Sequence, residues 1–131
     1  NLKIVKSSKQ IKTFIFTNMN NKKKILKLKK FQIKVIILNE NSKRINLEDA
    51  LFEVGKLGFN NVLLESGPNL NYAFFKKKLI NKIYYFQSQK NINSNLISAE
   101  KKINIKYIDK LKFKKISTNF IDNKILKIYE K

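Results

Sequence analysis

Residues 60–75 have the sequence NNVLLESGPNLNYAFF, in which an apolar run passes through a short turn into a helical pattern. The apolar residues 62–64 predict a strand that is buried on both faces. Beyond the turn, Leu70, Ala73 and Phe74 recur at helical spacing and predict a helix with one apolar face. The expected order is therefore strand, turn and helix.

The turn has a composition that suits the start of a helix. Gly67 brings backbone freedom, and Pro68 fits the first helical position, where a missing N–H leaves no hydrogen bond unmade. A strand that leads directly into a helix presents backbone N–H groups at the carboxyl edge of a sheet, where ligands bind in open α/β sheets. The pattern predicts an anion site at this edge, and an ordinary strand–turn–helix connection is the alternative interpretation.

The segments before the turn alternate between strands and helices. Residues 13–17 and 34–38 predict strands, and residues 22–30 predict a short amphipathic helix between them. Asn46 is placed to cap a further helix, which ends at Gly58, the residue type that most readily takes a left-handed conformation. This alternation implies right-handed crossovers and a mainly parallel sheet flanked by helices.

The segments after the turn complete the expected sheet. Residues 82–86 predict a fourth strand, and residues 91–100 predict a polar, irregular connection. Residues 112–118 and 124–129 alternate apolar and polar side chains, and residues 122–123 between them predict a hairpin turn. We therefore expect an α/β fold in which a C-terminal antiparallel hairpin ends a mainly parallel sheet.

The charge of the chain is strongly positive. Its 131 residues carry a formal charge of +20, from 29 basic and nine acidic side chains, which is compatible with nucleic-acid binding. Arg44, however, is the only arginine, and the lysines are spread along the chain, whereas recognition of bases and phosphates favours the planar guanidinium. We expect solvated lysine surfaces and no nucleic-acid partner, with a lysine-rich nucleic-acid-binding module as the alternative.

The composition also excludes several kinds of chemistry. Because the chain has neither cysteine nor histidine, it cannot form disulfides, Cys/His zinc sites or histidine-based acid–base pairs. Glu48, Asp49 and Glu53 lie near the start of a predicted helix, where acids favour the helix dipole, and we expect no metal site. No apolar stretch approaches the roughly 20 residues of a membrane span and no signal-peptide pattern opens the chain, so we expect a cytoplasmic protein without a membrane partner.

Residues 57–86 resemble the reductase domain of the bacterial bifunctional deaminase–reductase of riboflavin biosynthesis. The shared features are the apolar run, the acid and the Gly-Pro-x-Leu turn in LLESGPNL, then a helix and the segment LINKI. Ser66 stands where that family usually has glycine. The resemblance implies a dihydrofolate-reductase-like fold that uses NADPH.

The implied reaction is NADPH-dependent reduction of 5-amino-6-(5-phosphoribosylamino)uracil to the ribitylamino product. Glu65 falls on the family's acid and is the implied substrate-binding residue, with a surface acid paired to a lysine as the alternative. The implied cofactor-binding residues form the turn and the start of the helix, namely Gly67, Pro68, Asn69, Leu70, Asn71, Tyr72 and Ala73.

The resemblance also predicts the extent of the domain. Residues 1–131 correspond to the C-terminal part of the reductase domain, without the family's Asp-Gly-Arg-like start and without the deaminase domain. An α/β fragment that has no activity alone is therefore a further alternative. The implied partner is the small phosphoribosylamino-pyrimidine substrate, and a homodimer is compatible with the sequence.

Overall fold

The computed structural model of the chain describes residues 2–40, 42–88, 108, 111–122 and 124–131. These residues form an α/β structure of helices and two small sheets. The chain divides into two compact units, Asn1–Val62 and Leu63–Lys131, and each is described by itself. Within the described ranges, none of the helices has the length and hydropathy of a membrane span.

The first unit contains a parallel strand pair with a helix between the two strands. Its strands pair with Phe14 opposite Lys34 and Thr17 opposite Ile37, which confirms the predicted strand–helix–strand order. The elements, in chain order, are α1 (Lys3–Ser7), β1 (Phe14–Thr17), α2 (Lys22–Lys29), β2 (Lys34–Ile37) and α3 (Leu47–Lys56).

Helix α3 begins and ends as the sequence predicts. The Asn46 side chain accepts a hydrogen bond from the Glu48 N–H at 3.1 Å, which satisfies a donor that the first turn leaves without a helical partner. Gly58 has a φ of +87°, in the left-handed region that closes a helix. The predicted apolar stripe is half-buried along its length, at Leu47, Ala50, Leu51, Val54 and Leu57.

Helix α1 was not predicted from the sequence. Ser8, which follows it, is only 3% exposed, and its hydroxyl lies 2.7 Å from both the Val5 and the Phe31 carbonyl oxygens. The contact with Phe31 joins the end of α1 to the loop before β2. A five-residue helix without a side-chain cap has too little local signal to be recognised in the sequence.

The elements that the structure describes in the second unit are a helix and an antiparallel sheet. The strand order is β3-β5-β4, and the hairpin predicted at the C-terminus is confirmed by the pairing of β4 with β5. Asp122, in the hairpin turn, has a φ of +51°, and its neighbour at 123 lies outside the described residues. The elements are α4 (Pro68–Lys76), β3 (Lys82–Ser88), β4 (Lys114–Ile121) and β5 (Lys124–Glu130).

The prediction of a mainly parallel sheet is confirmed only in part. Among the described residues, parallel pairing occurs between β1 and β2, whereas β3 pairs antiparallel with β5 from Lys82–Glu130 to Ser88–Lys124. A strand–helix–strand order implies parallel pairing only when the two strands that flank the helix are neighbours in one sheet. Strand β3 was predicted correctly, but its partner follows it in the chain, and the predicted irregular connection at residues 91–100 lies outside the described residues.

The apolar run at residues 62–64 was predicted as a buried strand, and this prediction is wrong. The run has no regular secondary structure and belongs to neither sheet, and Val62 and Leu63 are 57% and 74% exposed. An apolar run becomes a strand only where neighbouring backbone supplies hydrogen-bond partners. The boundary between the two units falls inside the run, between Val62 and Leu63.

The core of the second unit packs helix α4 against the sheet. The predicted apolar face of α4 is displaced, because Leu70 is 43% exposed whereas Phe75 is buried at 7%. Successive helical residues are about 100° apart around the axis, so the buried side is turned by roughly one residue. Phe75 belongs to a core cluster with the buried side chains of Ile108, Phe113 and Tyr129. The partly buried side chains that pack against this cluster are Ile80, Ile83, Tyr85 and Leu111.

Candidate cofactor and substrate site

The residues of the predicted anion site lie at the N-terminus of α4, within the second unit. Gly67 is the N-cap residue and Pro68 occupies the first helical turn, as predicted. Gly67 has φ −66° and ψ 165°, an extended conformation that any residue can adopt. The interpretation that Gly67 is needed for backbone freedom is therefore wrong.

Gly67 instead leaves open space beside the turn. A Cβ atom built on Gly67 would meet no other atom of the described chain within 4 Å. A side chain at this position would project into that space, which is directly next to the helix N-terminus. The missing side chain therefore allows a ligand to approach the backbone closely.

A pair of hydrogen bonds joins the residue before the turn to the second turn of the helix. The Ser66 hydroxyl donates to Asn71 Oδ1 at 2.6 Å, with the Gly67 carbonyl as a more distant acceptor at 3.3 Å. In return, Asn71 Nδ2 donates to the Ser66 carbonyl oxygen at 3.0 Å. The Asn71 backbone N–H donates to the Gly67 carbonyl at 3.2 Å, so the helix continues normally from there.

Two backbone N–H groups at this helix end are available as hydrogen-bond donors. The N–H groups of Gly67 and Leu70 make no hydrogen bond with any residue that the structure describes, and Pro68 has no N–H. The first turn of α4 has no acidic residue, so nothing in it offsets the positive end of the helix dipole. These features make the helix end suitable for an anion such as a phosphate.

The accessibility of the predicted cofactor residues changes along the helix. The residues of the turn and first helical positions are exposed, whereas those of the next positions are half-buried. The first group is therefore the more accessible to a ligand at the helix end. The exposed group is Gly67, Pro68, Asn69 and Leu70, and the half-buried group is Asn71, Tyr72 and Ala73.

Glu65 lies in the irregular segment before α4, two residues before the N-cap. Its side chain is exposed, and its carboxylate makes neither a hydrogen bond nor an ion pair with any of the described residues. The alternative of a surface acid paired with a lysine has no support among these contacts. The carboxylate is accessible as a hydrogen-bond acceptor for a ligand.

Sequence reasoning singled out Ser66 only as a departure from a family pattern and did not foresee its contact with Asn71. A serine five residues before an asparagine, across a Gly-Pro turn, is the only sequence signal for this contact. Side-chain amides and hydroxyls commonly bond to nearby backbone groups at helix starts. The geometry of a particular pair, however, depends on the angles of the intervening turn.

A groove in the first unit was also not foreseen. It has a volume of about 670 Å³ and lies where β1 ends and α2 begins, with Asn20 Nδ2 donating to Glu40 Oε1 at 3.0 Å across it. Carboxyl ends of parallel strands are common ligand positions in α/β proteins. The lining residues are Asn18, Met19, Asn20, Asn21, Lys22 and Glu40.

Comparison with known proteins relates the chain to one family. The family model described as the RibD C-terminal domain matches residues 1–122. A "Riboflavin biosynthesis protein RibD" from Buchnera aphidicola subsp. Baizongia pistaciae (strain Bp) is 35% identical over 97 residues, which cover 72% of this chain and 26% of that protein. The protein of the same name from Actinobacillus pleuropneumoniae is 27% identical over 130 residues, which cover 96% of this chain and 34% of that protein. The chain therefore spans about a quarter to a third of the length of these curated relatives.

Proposed function

Because the chain belongs to the family of RibD C-terminal domains, we propose that it forms part of a riboflavin-biosynthesis reductase with a dihydrofolate-reductase-like fold. The reaction is the NADPH-dependent reduction of 5-amino-6-(5-phosphoribosylamino)uracil to its ribitylamino product. The observation that supports this proposal most directly is the helix end at Gly67, which combines available backbone donors with open space for a phosphate.

The chemistry divides between cofactor and protein. NADPH supplies a hydride, which ends on C1 of the substrate's ribose, and the protein contributes binding and orientation. Orientation matters because small displacements of reacting groups cost large factors in rate. The residues of this chain therefore act by holding the two molecules in place.

The turn and first helical positions hold the phosphate groups of the cofactor. In this proposal the N–H groups of Gly67 and Leu70 donate to phosphate oxygens, and the positive end of the α4 dipole adds a favourable charge interaction. Pro68 and Asn69 form the exposed surface beside these donors. Tyr72 and Ala73, which are half-buried, support the helix behind them.

Glu65 binds the substrate. A carboxylate that is exposed and unpaired among the described residues can accept hydrogen bonds from the hydroxyl and amino groups of a ribosylamino-pyrimidine. Since Glu65 lies two residues before the phosphate-binding turn, the proposal places substrate and cofactor side by side. This arrangement is what hydride transfer requires.

The test is an assay of the protein as its gene encodes it, with NADPH and 5-amino-6-(5-phosphoribosylamino)uracil. We expect loss of NADPH absorbance that depends on the pyrimidine, and appearance of the ribitylamino product. A protein that binds NADPH but does not oxidise it with this substrate would rule out the substrate assignment. A protein that does not bind NADPH at all would rule out the cofactor assignment.

A further inference from the structure

We propose that Ser66 and Asn71 are positioning residues, which aim the Gly67 N–H at a cofactor phosphate. The inference rests on the proposed function, because the phosphate concerned is that of NADPH. In this proposal the side chain of Asn71 acts through the backbone of residue 66 and not by touching the cofactor. The argument rests on the two hydrogen bonds between these residues.

The first step concerns the orientation of the Asn71 amide. Its Oδ1 accepts from the Ser66 hydroxyl at 2.6 Å, and its Nδ2 donates to the Ser66 carbonyl at 3.0 Å. If the amide were rotated by half a turn, its oxygen would face the carbonyl oxygen, and two acceptors would oppose each other. The Ser66 carbonyl therefore fixes which end of the amide meets the backbone, and the Ser66 hydroxyl holds the other end.

The second step concerns the peptide bond between Ser66 and Gly67. A trans peptide is planar, and its C=O and N–H groups point in opposite directions. Because the Ser66 carbonyl is directed at Asn71 Nδ2, the Gly67 N–H is directed away from the Asn71 side chain. This N–H has no acceptor among the residues that the structure describes.

The third step concerns a second donor. Leu70 is the third residue of α4, and the N–H groups of a helix's first turn have no carbonyl acceptor within the helix. The N-cap residue, Gly67, has no side chain that could accept from the Leu70 N–H, and this N–H makes no bond to a described residue. Leu70 is therefore a second available donor beside Gly67, and it is available independently of the Ser66–Asn71 contact.

The fourth step concerns accessibility. Gly67 and Leu70 are exposed, whereas the Ser66–Asn71 hydrogen bonds are partly buried. A partly buried pair is shielded from competing water more than an exposed pair. The pair therefore forms a supporting layer beneath donors that face solvent.

The binding test compares three variants of the full-length protein, Asn71→Ala, Ser66→Ala and the double variant. Asn71→Ala removes both hydrogen bonds and should weaken NADPH binding about tenfold. Ser66→Ala keeps the Asn71 bond to the backbone and should weaken binding only about twofold. The double variant should match Asn71→Ala within about twofold, because the two residues act through one contact.

The matched control is Asn119→Ala. Asn119 lies on β4, is exposed, and its amide lies 3.5 Å from the Ser117 hydroxyl, so this variant also removes an asparagine with a side-chain contact. NADPH affinity should be unchanged. The KM for the pyrimidine should be unchanged in all variants, since the Ser66–Asn71 pair acts on the cofactor.

A direct readout is the amide resonance of Gly67 in protein labelled with [15N]glycine. Gly67→Ala identifies the peak by its absence. In the wild type the Gly67 amide proton should move downfield when NADP+ is added, because it then donates to a phosphate oxygen, and in Asn71→Ala this movement should fall by at least half. The wild-type measurement tests the proposal even if a variant fails to fold.

The outcomes separate the two proposals. If the wild type binds NADP+ without moving the Gly67 resonance, or if Asn71→Ala folds and binds NADPH as tightly as the wild type, the positioning role is wrong and the cofactor assignment stands. If the wild type binds no NADP(H), the cofactor assignment itself is wrong, and the positioning role with it.

Discussion

The ring of Phe75 meets the ring of Phe113 edge to face, with centroids 6.5 Å apart and an interplanar angle of 64°. Phe75 lies on α4, and Phe113 immediately precedes β4. Both side chains are 7% exposed. The contact therefore couples the helix of the candidate site to the C-terminal hairpin.

Replacing Phe75 with alanine should destabilise the second unit strongly. The cost should be about 3 to 5 kcal/mol, which is typical of removing a buried phenylalanine and its ring contact. All five tyrosines lie within Leu63–Lys131 and the chain has no tryptophan, so tyrosine fluorescence during denaturant unfolding reports on this unit.

Phe120→Ala is the control for Phe75→Ala. Phe120 lies on β4 and is 75% exposed, so its removal should change the free energy of unfolding by less than about 1 kcal/mol. Equal losses for the two variants would contradict the core assignment of Phe75.

Replacing each of the two glycines near the end of α3 with alanine should change the stability of the first unit, in opposite directions for the two positions. Gly55 lies inside the helix with nothing within 4 Å of an added Cβ, so Gly55→Ala should stabilise the first unit by roughly 0.5 to 1 kcal/mol. Gly58 has a φ of +87°, so Gly58→Ala should destabilise the unit by about 1 to 2 kcal/mol. Thermal unfolding followed by far-UV circular dichroism measures both, and a stabilising Gly58→Ala would contradict the left-handed helix end.

The parts of the fold that the sequence predicted are those with strong local signals. Three such features are the N-cap at Asn46, the left-handed helix end at Gly58 and the hairpin around Asp122. Each of them depends on a few neighbouring residues. The burial of Ser8 could not be predicted, because its second acceptor belongs to Phe31, 23 residues away. The antiparallel pairing of Ile83 with Tyr129 likewise joins segments that are distant in sequence.

In the candidate site, too, the features with a local sequence signal were predicted and those that depend on the path of the backbone were not. The placement of Pro68 in the first helical turn follows from its fixed φ and missing N–H, and the structure confirms it. The contact of Ser66 with Asn71 depends on the path of the backbone between them, which sequence pattern does not specify. The run before Glu65 shows that hydrophobicity alone does not create a strand.

The lysine-rich surface of α2 should have no tight nucleic-acid partner. Lys23, Lys27 and Lys30 share one exposed face of the helix, and none is an arginine with a planar fork. At physiological salt we expect dissociation constants of about 1 µM or weaker for single-stranded and duplex DNA, in the range of nonspecific contacts.

The measurement is a salt titration of DNA binding by fluorescence anisotropy, with the triple lysine-to-glutamine variant alongside. The triple variant should leave NADPH affinity unchanged. Submicromolar binding that these substitutions weaken would establish the nucleic-acid-binding alternative.

Glu65→Gln should affect the substrate more than the cofactor. The amide keeps the size of the side chain but loses the charge and one acceptor, so kcat/KM for the pyrimidine should fall about tenfold or more. The dissociation constant for NADPH should change less than about twofold, because the phosphate-binding donors are untouched.

The control is Glu130→Gln, which removes another exposed carboxylate of the second unit, 3.9 Å from Lys82. Its kinetics should match the wild type. An unchanged kcat/KM in Glu65→Gln would remove Glu65 from the substrate site.

Gly67→Val should separate cofactor binding from folding. Its backbone angles, φ −66° and ψ 165°, suit a β-branched residue, and the added side chain would meet no described atom within 4 Å of its Cβ. The free energy of unfolding should therefore change by less than about 1 kcal/mol. The same side chain would fill the space beside the Gly67 and Leu70 N–H groups, so NADPH affinity should fall about tenfold or more, the loss expected for a hydrogen bond to a charged group.

NADPH fluorescence measures the affinity and tyrosine fluorescence the stability, with Gly67→Ala as an intermediate step. A folded Gly67→Val protein that binds NADPH as tightly as the wild type would place the cofactor elsewhere.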